Sequence, residues 1–357
     1  MTEIQKIDFS PSNIEVGSLF LRSFSEVLEQ YKNQKIVILV DENTHDCCLE
    51  FLITSFDSLK NAEVILLPAG EENKVMEVCF QVWQAMTEYQ ISRSDLVINL
   101  GGGVVCDMGG FIASIYKRGL NFIHIPTSLL AMVDAAIGGK NGIDLDGYKN
   151  QLGTFNHPNY IFVDPVFLAT LPEQEWWNGM AEMLKHGLIS SESHFQKLVT
   201  VKSISELLNL DLIAESISIK TRIVEIDPME RGKRKTLNFG HTFGHALESF
   251  FLTREPISHG HAVALGLVLE SFLSVHKLGF SSQQLDEIVK VVTRIFETLC
   301  PPREDWDEVW NLMQQDKKNN SGKVKCVLLA DIAQPKIDQV IDKDDFLIAM
   351  YFLQNLG

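Results

Sequence analysis

Four short runs of aliphatic and β-branched residues, each halted by a turn former, constrain the fold of this chain more than any other feature. Lys35-Ile36-Val37-Ile38-Leu39-Val40 ends at Asp41, and Val64-Ile65-Leu66-Leu67 ends in Pro68-Ala69-Gly70. Leu96-Val97-Ile98-Asn99-Leu100 runs into three glycines, and Phe122-Ile123-His124-Ile125 ends at Pro126-Thr127. Runs that are apolar at successive positions, rather than alternate ones, belong to strands buried on both faces, as in parallel sheets. Helical stretches such as 75–89 lie between them and provide the crossovers that parallel strands require. After Asp164-Pro165 apolar residues recur at helical spacing through 173–190, 193–200, 204–226, 240–251, 260–277 and 282–298. Only the run over 324–329 still reads as strand. The chain is therefore expected to have an α/β N-terminal Rossmann-like parallel-sheet domain over 1–168. A mainly α-helical C-terminal domain is expected over 169–357.

Bulk properties narrow the function. A length of 357 residues exceeds what one hydrophobic core usually organises. The net charge of −16 argues against non-specific binding to nucleic acid or anionic membranes, while leaving room for a local basic pocket. The six cysteines show no CxxC pair, so thiols in a reducing compartment are expected. Glu3, Lys6 and Asp8 precede any apolar run, unlike a signal peptide, and the longest apolar stretch, 262–275, contains Glu270 and is too short to span a bilayer. A cytoplasmic enzyme fits these constraints.

The strand ends carry candidate ligand groups, where open α/β sheets bind their ligands. Gly101-Gly102-Gly103-Val104, with Asp107 one turn later, can bring backbone N–H groups and a helix N-terminus to a phosphate. It is not the GxGxxG fingerprint, and a tight strand-to-helix turn would look similar. Asp41 is placed to accept ribose hydroxyls, Glu71 and Lys74 could add contacts to a nucleoside, and Thr127-Ser128 supplies hydroxyls. Asp134 begins a stretch that reaches Gly138-Gly139-Lys140, followed by Lys149-Asn150; an ammonium among exposed amides suits an anion, as would an ordinary solvated turn.

In the second half, His241 and His245 lie four apart, on one helical face, and His259 and His261 follow. Thr242 stands where a His-Glu-x-x-His peptidase has its glutamate. Glu182 and Lys185 stand at i, i+3: a surface ion pair, or an oxygen ligand completing a set with two histidines. Spacing does not choose among the four histidines. The segment 220–235 carries six basic residues (Lys220, Arg222, Arg231, Lys233, Arg234, Lys235) against three acidic ones (Glu225, Asp227, Glu230), or +3, suggesting a pocket for an anionic substrate or a solvated helix end. Asp316-Lys317-Lys318 is a shorter basic candidate.

These residues resemble the 3-dehydroquinate synthases, within the sugar phosphate cyclases. The likeness is carried by GGGVVCDMGGF at 101–111, KRG at 117–119, IPTSLLAMVDAAIGGKNGID at 125–144 and YKNQLGTF at 148–155. It continues in TLPEQEWWNGMAEMLKHG at 170–187, IKTRIVEIDPMERGKRKTLNFGHTFGHALE at 219–248, HGHAVALG at 259–266 and DKK at 316–318. The blocks run in order along nearly the whole chain.

The resemblance implies conversion of 3-deoxy-D-arabino-heptulosonate 7-phosphate to 3-dehydroquinate and phosphate, in the shikimate pathway. Transient oxidation by NAD would be followed by phosphate elimination, reduction, ring opening and intramolecular aldol closure. Zn2+ or Co2+ would be held by Glu182, His241 and His259, which makes the C-terminal domain metal-binding. NAD contacts implied by the family are Asp41, Asn43, Glu71, Lys74, Gly101, Gly102, Gly103, Val104, Asp107, Thr127, Ser128, Lys140, Lys149, Phe167, Thr170 and Leu171. Catalytic and substrate contacts would be Asp134, Lys140, Asn150, Lys185, Lys220, Arg234, Asn238 and His245, with Lys317 or Lys318. Arg118 resembles an arginine that reaches the substrate phosphate across a homodimer. His261 stands where relatives often have glutamate and is given no role. Other ring-forming cyclases (inosose or valiolone-type synthases) and metal-dependent polyol dehydrogenases of the same fold are the alternatives.

Overall fold

The structure is a computed structural model describing residues 4–21, 23–146, 148–315 and 323–356. The chain forms two compact units: Met1–Trp176 with Leu208–Glu225, and Trp177–Leu207 with Ile226–Gly357. The boundary expected at 168/169 falls inside the first unit, to which Leu208–Glu225 also belongs.

The first unit is built on strands β1 (Gln5–Asp8), β2 (Asn13–Val16), β3 (Ile36–Asp41), β4 (Glu63–Leu67), β5 (Leu96–Gly101) and β6 (Asn121–Pro126). A hairpin of β7 (Lys140–Leu145) and β8 (Tyr148–Phe155) precedes β9 (Tyr160–Val163), which completes the sheet. The sheet order is β1-β2-β9-β6-β5-β3-β4, and every neighbouring pair is parallel except β1 with β2. The four expected strands are four consecutive members of the sheet; the apolar runs of β3, β5 and β6 are buried as parallel strands require, while β4 is an edge strand that leaves Leu66 exposed. Val37, Leu39, Val97 and Phe122 pack against Val105, Met108 and Ile112 of the helix Gly103–Ile115. Each such side chain contributes roughly 1.5–3 kcal/mol by leaving water. The chain moves outward from β3 to β4, then crosses back to place β5 on the other side of β3. The carboxyl ends of β3 and β5 therefore flank a topological switch point, the usual ligand position in such sheets.

Strands β1, β2, β7, β8 and β9 lie outside the sequence expectation. β1, Gln5–Asp8, is a four-residue edge strand alternating exposed and half-buried positions, which leaves no apolar run to detect. β9 is also only four residues long and takes its place through its parallel neighbours β2 and β6.

The second unit is mainly helical, as expected. The helix Glu173–Ser190 enters it at Trp177, and Glu192–Thr200, His241–Leu252, His259–Leu278, Ser282–Ile295, Trp306–Gln315 and Lys343–Gln354 follow. Phe243, Leu247, Leu265, Leu269, Leu273, Trp306 and Phe346 are among its core side chains. The helix expected over 204–226 is two, Ile204–Leu207 and Leu210–Ile226. The side chain of Asn209 accepts the N–H of Asp211 and restarts the helix there. β10 (Val324–Leu329) pairs with β11 (Pro335–Ile341), a second strand whose alternating burial begins at a proline. The helix His259–Leu278 is long and apolar enough to cross a membrane, but 72% of that window is buried inside the unit, as suits a core helix.

Candidate active site

Three helices of the second unit deliver one side chain each to a common point. Glu182 comes from the middle of Glu173–Ser190, whereas His241 and His259 are the first residues of their own helices. Their donor atoms all lie within 4.8 Å of one another. Glu182 Oε1 is 3.5 Å from His241 Nε2 and 3.3 Å from His259 Nε2. Gly260 allows this approach: a Cβ there would stand 2.3 Å from the Cα of Asn178, four residues before Glu182. The Ser258 hydroxyl donates to Asn178 Oδ1 at 2.5 Å and also accepts the N–H of His261, so one residue caps the His259 helix and ties it down.

Both imidazoles are oriented from behind. His241 Nδ1 donates to the carbonyl of Phe239 at 3.1 Å, and His259 Nδ1 to Glu248 Oε2 at 3.3 Å, since those oxygens only accept. Each Nε2 is thereby left facing Glu182. Burial would raise the pKa of Glu182, but Lys185 and the two histidines hold it well below the usual carboxylate range. Burial, reinforced by Lys185, pushes His241 down to about 3. It opposes protonation of His259 too, but there Glu248 and Glu182 prevail and push the ring up to about 10. Two imidazole nitrogens and one carboxylate, each braced by a second group, suit a divalent cation of the zinc type and leave it an open coordination position. Glu248 is the residue sequence reasoning missed; its signal was a carboxylate seven residues, two helical turns, after His241.

Lys185 pairs with Glu182, and both are buried, which removes the surface ion pair as a reading. The His245 ring centre lies 5.1 Å from that of His241 and 5.9 Å from that of His259. His261 faces elsewhere: its Nε2 donates to the carbonyl of Glu297 at 2.6 Å and its ring stacks on Phe296. Arg234 is buried and donates through Nη1 to the carbonyl of Pro228 at 2.7 Å, and its own N–H goes to Asp227. Asn238 donates to Glu230 Oε1 at 2.8 Å. Lys220 belongs to the first unit, while Arg231 to Lys235 belong to the second. Lys317 and Lys318 lie outside the described residues.

Several of the expected nucleotide contacts lie at or just after the carboxyl ends of β3, β4, β5 and β6. The helix Gly103–Ile115 starts straight after β5 with Gly102 as its N-cap, and no side chain caps it. A Cβ on Gly102 would meet only Ser128 Oγ, at 3.6 Å, so the backbone there is open to a close neighbour. The N–H of Thr127 donates to the carbonyl of Gly101 at 3.0 Å, which holds the two loops in register. Val104 follows in the first turn of that helix. At the end of β3, Asp41 accepts the N–H and hydroxyl of Thr44, each at 2.8 Å, while Asn43 is exposed. Lys74 is buried and donates to Asp107 Oδ2 at 2.7 Å and to Asn150 Oδ1 at 2.9 Å, with Glu71 at 3.7 Å. Burial opposes the charge, but Asp107 and Glu71 outweigh it and raise the pKa, so the ammonium is charged.

Asn150 has left-handed backbone (φ 50°) and donates its N–H to Asp144 at 2.6 Å. Lys149 stands 3.8 Å from Glu71. Lys220 Nζ donates to the carbonyl of Asp134 at 2.5 Å and lies 2.9 Å from its carboxylate. Lys140 is exposed at the start of β7. Phe167 is buried, Thr170 exposed and Leu171 half-buried around the short helix Pro165–Leu168, which Asp164 caps. Arg118 is exposed, with φ 68°, in the turn ending at Gly119.

Comparison with known proteins bears on the family and the fold. A family model described as 3-dehydroquinate synthase N-terminal matches residues 64–178, and one described as 3-dehydroquinate synthase C-terminal matches 179–319. A 3-dehydroquinate synthase of Parabacteroides distasonis is 41% identical over 331 residues, covering 92% of this chain and 93% of that protein. Among solved structures, a 2-epi-5-epi-valiolone synthase from Streptomyces hygroscopicus with NAD+ and Zn2+ bound superposes with a TM-score of 0.86 at 24% identity, over 99% of this chain and 100% of that one. A 2-deoxy-scyllo-inosose synthase complexed with carbaglucose-6-phosphate, NAD+ and Co2+ gives 0.83 at 22%, over 98% and 99%. At those identities the structures establish the shared fold. Sequence decides the family: this chain belongs to the 3-dehydroquinate synthases.

Proposed function

We propose that the chain converts 3-deoxy-D-arabino-heptulosonate 7-phosphate to 3-dehydroquinate and phosphate, using NAD and a divalent metal, zinc or cobalt. The observation that carries this reading is the convergence of Glu182, His241 and His259, braced by Phe239 and Glu248, in a chain of this family. Those three residues would hold the metal, which supplies a Lewis acid that acidifies a substrate hydroxyl. NAD, when bound along the carboxyl ends of β3 and β5, supplies the transient hydride acceptor. Its contacts would be Asp41, Asn43, Glu71, Lys74, Gly101 to Val104, Asp107, Thr127, Ser128, Lys140, Lys149, Phe167, Thr170 and Leu171.

The chain's own residues would bind and orient. Lys140, Lys185, Lys220 and Arg234 are cations for a substrate bearing phosphate and carboxylate; Asn150 and Asn238 are neutral hydrogen-bonding groups, and Asp134 fixes the Lys220 ammonium. His245, beside His241, would carry a proton on its imidazole. Lys317 or Lys318 would add a further cation. Arg118, exposed in its left-handed turn, would reach the phosphate of a second subunit, so the active form would be a homodimer. The enzyme would act in the cytoplasm, a reading supported by six unpaired cysteines.

The test is a stoichiometry. Pure protein, catalytic NAD+, Zn2+ or Co2+ and the heptulosonate phosphate are expected to give equal phosphate and dehydroquinate with no accumulation of NADH. NADH formed mole for mole would make it a dehydrogenase, and turnover only of sugar phosphates lacking a carboxylate would make it a different cyclase.

A further inference from the structure

Glu270 is fully buried, three turns into the helix His259–Leu278, and has no place in the reaction or in the constellations above. Its carboxylate accepts the N–H of Gly240 at 2.8 Å on Oε2, and those of Thr242 at 3.0 Å and Phe243 at 3.4 Å on Oε1. These are amides of the N-terminus of the neighbouring helix, His241–Leu252, whose N-cap is Gly240 in left-handed conformation and has no side chain to cap with. We infer that Glu270 is the cap of the His241 helix, supplied from the His259 helix, and that it acts as a positioning residue for the metal site by fixing where His241 stands relative to His259.

The physical case rests on cost and geometry. A buried carboxylate without partners costs several kcal/mol, and is retained where N–H donors and the positive end of a helix compensate it. Glu270 has both. The residues it holds, Gly240 and Thr242, flank His241 on either side. The two helices also touch backbone to backbone: a Cβ on Gly266 would lie 1.8 Å from the carbonyl oxygen of Gly240, and one on Gly244 3.0 Å from that of Ala262. Glycine contact permits the close approach, but it is smooth and does not fix register along the seam. Three hydrogen bonds to one carboxylate do. The segment Phe239-Gly240-His241 is then held at one end by Glu270 and at the other by the bond from His241 Nδ1 to Phe239.

This inference rests on the metal-binding reading, and the experiment separates the two. Co2+ is titrated into the metal-free full-length protein, affinity is measured by chelator competition, and the ligand-field absorption of bound Co2+ is recorded beside the thermal midpoint. Glu270→Gln keeps the volume but turns an NH2 group toward a backbone N–H. It is expected to weaken Co2+ binding about 10- to 100-fold and to shift the absorption bands. Glu270→Asp, which keeps the charge, is expected to recover part of that affinity. A Gln variant with a lowered thermal midpoint but unchanged Co2+ affinity and spectrum overturns the inference and makes Glu270 a fold residue only. Should the Gln variant not fold, a folded Asp variant whose thermal midpoint falls while its Co2+ affinity and spectrum stay at the wild-type values overturns it equally, and one with reduced affinity supports it. If the wild type takes up no Co2+, or if His241→Ala and His259→Ala retain it, the metal reading itself fails and the positioning role with it.

Discussion

The two halves of the candidate chemistry are built on opposite principles. At the strand ends of the first unit, charges are largely matched before any ligand arrives: Lys74 lies on Asp107 and Asn150, Lys220 on Asp134, and Asp41 on its own helix turn. Gly102 there leaves its backbone open to a close neighbour. In the second unit the matching is arranged behind the site rather than within it. Phe239 and Glu248 take the rear nitrogens of His241 and His259, and the front nitrogens are left on a single carboxylate oxygen of Glu182. A dinucleotide gains affinity from many modest contacts, so a neutralised, rigid platform serves it. A metal draws its affinity from three or four strong ones, so the donors must converge on one point, with their supports elsewhere. Damage to the first region should therefore be graded, and damage to the second close to all-or-none.

The largest expected effect tests the second half of that contrast. His259→Ala should lose bound metal and activity together, with a rate decrease of about 10³-fold or more, while NAD+ affinity stays at the wild-type value. Metal analysis and NAD+ titration on the same sample check it; full metal content in the variant would reject His259 as a ligand. Next comes Lys74→Met, which removes the buried ammonium from the half-buried Asp107 and from Asn150. Breaking such a pair costs about 3 kcal/mol. Chemical denaturation should show that loss, NAD+ binding should weaken, and metal content should be untouched. A fall in metal content would mean that the two regions are not independent.

Arg234→Ala should come third. Loss of a charged donor is worth about 10- to 100-fold in substrate KM, with NAD+ affinity preserved. Equal losses for both ligands would show that the guanidinium, which bonds the Pro228 carbonyl, mainly holds its own loop.

The contrast also explains what the sequence disclosed. Central strands β3, β5 and β6 were legible because burial on both faces leaves continuous apolar runs, and the glycines after β5 were legible because a backbone-only site has to be written in glycine. β1 and β9 were not, since four-residue strands take their identity from their neighbours. Glu182, His241 and His259 came together as a set only through family resemblance, because their helices meet by tertiary packing that spacing does not encode. Glu248 and Glu270 escaped for a related reason. A carboxylate on a helix reads as a solvated face, and only the fold shows that both are buried against the histidine helices.

The smallest expected effect falls on the fourth histidine of the cluster. His261 is two residues from His259, so spacing alone makes it as good a ligand as any. On a helix, however, successive side chains turn by about 100°, and two residues carry the ring to the opposite side. There it bonds the Glu297 carbonyl and stacks on Phe296. His261→Leu keeps the apolar contact and removes the hydrogen bond, which should cost about 1 kcal/mol in unfolding free energy and leave Co2+ affinity unchanged. The pairing with His259→Ala is what makes the result informative: adjacent imidazoles of one helix turn, one indispensable to the metal and one indifferent to it. Metal loss in both variants would reopen the choice among four histidines, and would place the convergence point nearer Glu297 than Glu182.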